Sequence, residues 1–206
     1  MTDAQLIRRV IKPALWVLGL APLLYLLNRT RLGDLGFDPI RTITHFTGRT
    51  AITILFITLT VTPLRRLTGW NPLIKVRRLI GNFAFFYALI HFLIYAVFDR
   101  ELSPVGLGED IAKRPWITVG FTTFLILLTL AITSPQAMVR KLGKRWQTLH
   151  RLIYVAAGLA VLHFTWAQKK DIRLPLIYAA VLAVILGSRL VFRPRRTVRG
   201  EVRGER

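Results

Sequence analysis

The sequence predicts an all-α integral membrane protein, a six-helix transmembrane bundle, and three observations predict it. Apolar residues come in blocks of about twenty, the length that crosses ~30 Å of hydrocarbon at ~1.5 Å per residue. Basic residues lie almost entirely between those blocks. The connections are too short to house a soluble domain, so neighbouring spans run antiparallel. With 53% of 206 residues hydrophobic and a mean hydropathy of +0.46, the chain is too apolar for a soluble domain of this size.

The first span, about 10–27, follows a basic start, MTDAQLIRRVIK. No small-residue cleavage site follows it and Arg29 and Arg31 close it, so it reads as an uncleaved span and not a signal peptide. Further spans cover about 42–62, 79–98, 116–134, 149–167 and 174–192. Residues 1–9 form the N-terminus, 10–192 the six-span domain and 193–206 a basic tail, RPRRTVRGEVRGER after Phe192. No internal repeat is evident.

The net charge of +20 raises the question of nucleic acid. Nucleic-acid binding needs a basic face on a folded soluble body, and here the charge follows membrane topology. Nineteen Lys and Arg fall on the side of the two termini, nine on the opposite side, and Arg49 and Arg189 lie inside spans. That bias places both termini in the cytoplasm. Arg189, a turn from the end of its span, is expected to snorkel to the interface. The absence of cysteine excludes disulfides, thiolate-held iron–sulfur clusters and thiolate-ligated haem.

Ionisable groups inside a span are costly and stand as functional candidates. They are His45 and Arg49 in span two, His91 in span three, and His150 and His163 in span five. Spans three and five run in the same direction. His91 lies twelve residues beyond Leu79, about 18 Å along the helix, and His163 thirteen beyond His150, about 20 Å. Both reach the outer half of the membrane, where parallel helices can hold one metal between two imidazoles. Zinc would want a third or fourth ligand; two imidazoles suit the axial positions of a b-type haem. Phe83, Phe85, Phe86, Phe92, Phe164 and Trp166 flank the histidines.

A second haem at the level of His150 would need a partner at the base of span three. Arg77, fourteen residues before His91, returns to nearly the same face and could bind a propionate, approach the iron, or serve as a topology charge. Thirteen residues rotate an ideal helix by about 220°, so His150 and His163 share a face only through a tilt, a π-bulge or a kink near Gly158. In HFTGR, His45 and Arg49 are four apart on one face. Arg49 reaches the inferred haem level as a propionate partner, and His45 is a quinone contact or an interfacial residue.

The segments WQTLHRLIYVAAGLAVLHF, RRLIGNFAFFYALIHFLIY and TPLRRLTG resemble the MsrQ family. The family is related to the ferric-reductase-like transmembrane domain and forms the haem-binding membrane subunit of a bacterial methionine sulfoxide reductase system. The resemblance covers essentially the whole chain and places the family's histidine pattern on His91, His150 and His163. It implies a non-catalytic electron-transfer subunit that carries electrons from the quinone pool to a periplasmic molybdopterin enzyme, MsrP, for repair of oxidised envelope proteins. Its cofactors would be haem b, one or two, with FMN and a cytoplasmic flavin reductase as further candidates in some members. Two other readings stay open at this level: a membrane haem reductase fed by a flavin reductase, and a small transporter lined by His45, Arg49 and His91.

Overall fold

A computed structural model describes residues 2–168 and 171–191. The basic tail 193–206, Phe192, Lys169 and Lys170 lie outside the described residues. The helices are α1 (Asp3–Arg31), α2 (Pro39–Thr68), α3 (Asn71–Asp99), α4 (Pro104–Lys113), α5 (Pro115–Ile132), α6 (Gln136–Leu142), α7 (Lys144–Ala167) and α8 (Arg173–Val191). Among the described residues there is no strand, and α1, α2, α3, α5 and α7 are long and apolar enough to cross a membrane. The sixth expected span corresponds to α8, 19 residues long, which packs on α7 and α2. The short helices α4 and α6 were not expected; each fills a connection between two long helices.

Local chemistry sets the ends. Asp38 caps α2 by accepting the Arg41 N–H at 3.1 Å, with Pro39 fixing the first turn. Gly69, at φ +70°, closes α2 in the left-handed conformation and donates to Arg65 O at 3.0 Å. Within the helices, the Thr47, Thr58 and Thr123 hydroxyls turn back onto the carbonyl four residues earlier, which gives each a partner in the apolar interior.

The helices assemble as two tight antiparallel pairs, α2 with α3 and α5 with α7, joined through α3–α5 and α2–α7 contacts. The common core takes Leu55 and Leu59 from α2, Ala84 from α3, Leu127 from α5, Ala156 and Ala157 from α7, and Leu182 and Ile185 from α8. The three alanines are at most 1% exposed. Small side chains there let backbones approach, as lipid-embedded helices require.

Two repairs hold the outer helices. Pro63 in α2 has no N–H, so the carbonyl four residues earlier, Leu59 O, loses its helical donor. Arg189 of α8 turns inward and donates to Leu59 O and to the Tyr154 hydroxyl, lying over the Tyr154 ring at 5.1 Å. The expected snorkelling of Arg189 is thereby corrected, because an orphaned carbonyl binds it more strongly than the interface does. On the other side, the hydroxyl of Tyr87, whose side chain is 0% exposed, donates to Gly19 O (2.7 Å) and accepts from the Leu23 N–H (3.1 Å). These are the two ends of one rung of α1, with Pro22 inside it. Phe83 lies over Gly19, where a Cβ would meet its ring at 2.6 Å, and edges onto Trp16 at 5.1 Å.

Tyr87→Phe should therefore leave two backbone groups without this partner and cost about 1–3 kcal/mol. The expected readout is a lower Tm in detergent and faster proteolysis between α1 and α2. An unchanged Tm would mean that α1 docks by packing alone.

Candidate functional site

His91 of α3 and His163 of α7 face each other, with ring centres 6.2 Å apart and planes at 76°. Each ring is seated by the neighbouring helix of its own pair. His91 Nδ1 lies 2.9 Å from Thr44 O on α2, and His163 Nδ1 lies 2.7 Å from Trp116 O on α5. A carbonyl only accepts, so each Nδ1 carries the proton and each neutral ring keeps its lone pair on Nε2. Glycine makes the room. A Cβ at Gly48 would stand 2.9 Å from His91 Cε1, and one at Gly120 would stand 2.7 Å from His163 Cε1.

The spacing tests what this pair can hold. With a metal–imidazole bond of about 2.0–2.1 Å and Nε2 roughly 1.1 Å from its ring centre, two imidazoles on opposite sides of one metal put their centres about 6.3 Å apart. The observed 6.2 Å fits. Among the described residues no group of three or more His, Cys, Asp or Glu could share a metal. The donor set thus suits an iron whose remaining positions come from a macrocycle, and it does not suit tetrahedral zinc.

The walls near the pair are aromatic. Phe92, beside His91 in sequence, stacks on Phe124 (4.7 Å between centres, 15°) and tilts against Phe121. Phe164, beside His163, meets Tyr178 edge-on at 5.5 Å, and the Tyr178 hydroxyl pairs with Thr53 Oγ1 at 2.7 Å. Of the flanking aromatics expected from sequence, Phe83 serves α1 instead and Phe86 packs on Tyr87. Phe121, Phe124 and Tyr178 went unnoticed because a phenylalanine in an apolar span carries no distinguishing signal.

The remaining candidates divide between the two ends. His45 and Arg49 do share a face of α2, and Arg49 Nε donates to His45 O at 3.3 Å. Both line a hollow of about 410 Å³ with Arg41, Gln168 and Asp171. Arg49 also borders a lipid-side cleft of about 860 Å³ between α1 and α2. His150 lies at the other end, away from the facing pair. Its ring stacks on Trp146 (4.0 Å, 26°) and its Nε2 lies 3.1 Å from Thr133 Oγ1, while Trp146 Nε1 donates to Thr133 O at 2.9 Å. Regular helix is interrupted at His150 and Arg151 themselves. The change of face thus needs no π-bulge or kink at Gly158; the π-helical turns lie at Ile7–Ile11 and Tyr95–Asp99. Arg77 and Arg78 are within electrostatic reach of His150, and Arg78 Nη2 donates to Gln136 Oε1 at 3.0 Å.

Comparison with known proteins now adds to this geometry. The family described as "Ferric reductase like transmembrane component" matches residues 47–161, a stretch that includes His91 and His150 and stops two residues before His163. A protein-methionine-sulfoxide reductase heme-binding subunit MsrQ from Ralstonia nicotianae is 47% identical over 199 residues, 95% of this chain and 92% of the relative. The protein of the same name from Bordetella pertussis is 47% identical over 182 residues (87% and 88%), and that from Xanthomonas campestris pv. campestris 51% over 156 (76% and 72%). The chain belongs to the MsrQ family. No solved structure matches it.

In this MsrQ-family protein a polar cap braces the end of α3 beyond His91 and the start of α5, where Trp116 lies. Tyr95, one turn beyond His91, donates to the buried Asp110 of α4, which also pairs with Arg100 and, at 3.1 Å, with Arg114 Nε. Glu101 and Leu102, at φ +51° and +57°, make the reversal that aims α4 back. Burial alone would raise the Asp110 carboxyl, but the Tyr95 hydroxyl and the Arg100 and Arg114 guanidinium groups hold it below the usual carboxylate range. The hydrogen bond that Arg100 donates to the Tyr95 oxygen, with the Asp110 carboxylate, raises Arg100 above its ordinary value.

A carboxyl depressed in the folded state stabilises above its unfolded pKa, and that contribution fades as pH falls through its folded pKa. Wild type should therefore melt above Asp110→Asn at neutral pH, and the gap in Tm should close on acidification below the usual carboxylate range. A gap independent of pH would remove the charge from this account.

Proposed function

We propose that this chain is a b-type haem electron-transfer subunit of the bacterial inner membrane. It passes electrons from the quinone pool to a periplasmic molybdopterin-containing methionine sulfoxide reductase of the MsrP kind. The observation that carries the reading is the facing imidazole pair, 6.2 Å between ring centres, with both Nδ1 atoms committed to backbone carbonyls. The names of the relatives, heme-binding subunits of a protein-methionine-sulfoxide reductase, support it.

When bound, the haem supplies one-electron ferric–ferrous chemistry. The chain's own residues do the rest. His91 and His163 would hold the haem through their Nε2 lone pairs. The carbonyls of Thr44 and Trp116 hold the tautomer and raise the basicity of both rings. Phe92, Phe124, Phe164 and Tyr178 keep water away, and Arg49, with Arg41 beyond it, offers the positive charge that propionates need. At the inner end, His150, Arg77 and Arg78 form a separate polar group beside which a second cofactor, haem or FMN, would sit. Both termini lie in the cytoplasm on the charge bias of the connections. Arg41, Lys113, Arg114 and Arg173 then rim the face toward a soluble partner. The fold contains no nicotinamide- or flavin-binding soluble region among the described residues, which favours a conduit over a self-sufficient reductase.

Protein purified in detergent should show a Soret band and sharp reduced α and β bands of a six-coordinate low-spin haem. His91→Ala and His163→Ala should each abolish that species. Ligand planes at 76° should give ferric wild type the strongly anisotropic low-field EPR line of near-perpendicular axial rings. Unaltered spectra in both alanine variants would overturn the ligand assignment.

A further inference from the structure

We propose that Gly48 and Gly120 are positioning residues: two copies of one imidazole seat, each a carbonyl and a glycine one turn apart, that set the tautomer and plane of the facing histidines. This rests on the reading of His91 and His163 as haem ligands and goes beyond it.

The two seats match in every element. Thr44 and Gly48 are four residues apart on α2, and Trp116 and Gly120 are four apart on α5. Each carbonyl lies 47 residues before the histidine it holds. Thr44 to Trp116, Gly48 to Gly120 and His91 to His163 are each 72 residues apart. The same offset pairs ALIHF (88–92) with AVLHF (160–164), and joins core residues Leu55 to Leu127 and Ala84 to Ala156. Thus α2–α3 and α5–α7 are equivalent helix pairs, and the absence of a repeat expected from the sequence is corrected. The likeness escaped notice because most of the equivalent positions carry different residues, such as Arg49 and Phe121 or Tyr87 and Leu159.

Equivalence explains why the glycines are needed. A helix face that donates a carbonyl to an imidazole must let the ring lie against its backbone one turn further on. A methyl group at 48 or 120 falls at 2.9 or 2.7 Å from ring atoms, inside van der Waals contact. The ring must then turn, which lengthens the Nδ1–H bond to the carbonyl and changes the angle between the two ligand planes. Gly158, in α7, has nothing within 4 Å of such a methyl and serves as the control.

The test uses the haem-loaded full chain. Gly48→Ala and Gly120→Ala should each move the low-field EPR line and weaken haem retention about 10- to 100-fold, the usual effect of disturbing a partner behind a metal-bound histidine. Gly158→Ala should leave both unchanged. A second measurement does not depend on haem. Alanine is the better helix former, so in a His91→Ala background Gly48→Ala should leave Tm unchanged or raise it, whereas beside the intact ring it should lower Tm or prevent folding. Equal effects in the two backgrounds, or wild-type EPR spectra in both glycine variants, would overturn the proposal. If instead His91→Ala and His163→Ala keep wild-type spectra, the ligand assignment itself fails, a result separate from any glycine outcome.

Discussion

In hydrocarbon a polar backbone atom that loses its partner finds no water to replace it, and this constraint organises the molecule. At several places where the helical ladder is left open or is shared, a side chain from another helix bonds to it. Leu59 O, stranded by Pro63, takes Arg189. Gly19 O and the Leu23 N–H, around Pro22, take the Tyr87 hydroxyl. Thr44 O and Trp116 O take the two imidazoles. The histidines thus sit where they do through the same chemistry that docks α1 and α8. At the functional pair the side chain that satisfies a carbonyl also gains something from it, a fixed tautomer with a free Nε2 lone pair.

The same constraint separates two kinds of contact between helices. Leucine and alanine packing fills the common core, but dispersion alone does not choose among neighbouring registers of an apolar helix. Each cross-helix bond to a backbone carbonyl does choose, because a shift of one residue turns the group by about 100°. Tyr87, Arg189, His91 and His163 therefore act as register pins between α1 and α3, α2 and α8, α2 and α3, and α5 and α7. The polar cap around Asp110 adds a pin outside the hydrocarbon by tying α3 to α4 and to the start of α5.

The all-helical membrane fold was legible in the sequence because blocks of about twenty apolar residues have few other uses. The approach of His91 to His163 was legible because both lie at a computable height on parallel spans. Backbone partners were not. Nothing in the letters Thr44 and Trp116 announces that their carbonyls, and not their side chains, reach an imidazole. Arg189 was misread for a related reason: its partner is the consequence of a proline on another helix, 126 residues earlier in the chain. The break in α7 falls at His150–Arg151, where neither glycine nor proline marks it; Trp146 stacking on His150 and bonding Thr133 holds that end in place of a continued helix.

The duplicated helix pairs also bear on how many imidazole-ligated irons the fold can hold. At the outer level the halves agree, and each supplies one imidazole through the same carbonyl and glycine. At the inner level they differ: the position 72 residues before His150 is Arg78, with Arg77 beside it. A guanidinium stays protonated and has no lone pair to give a metal. Opposite His150 the first half therefore presents donors of hydrogen bonds and positive charge, with Arg78 already bonded to Gln136. His150 itself directs Nε2 to Thr133. On the proposed ligand assignment, one level offers two facing imidazoles, whereas the other offers a single imidazole beside two guanidinium groups. The divergence of one pair of equivalent positions, histidine in one half and arginine in the other, is enough to give two ends of a symmetric scaffold different chemistry.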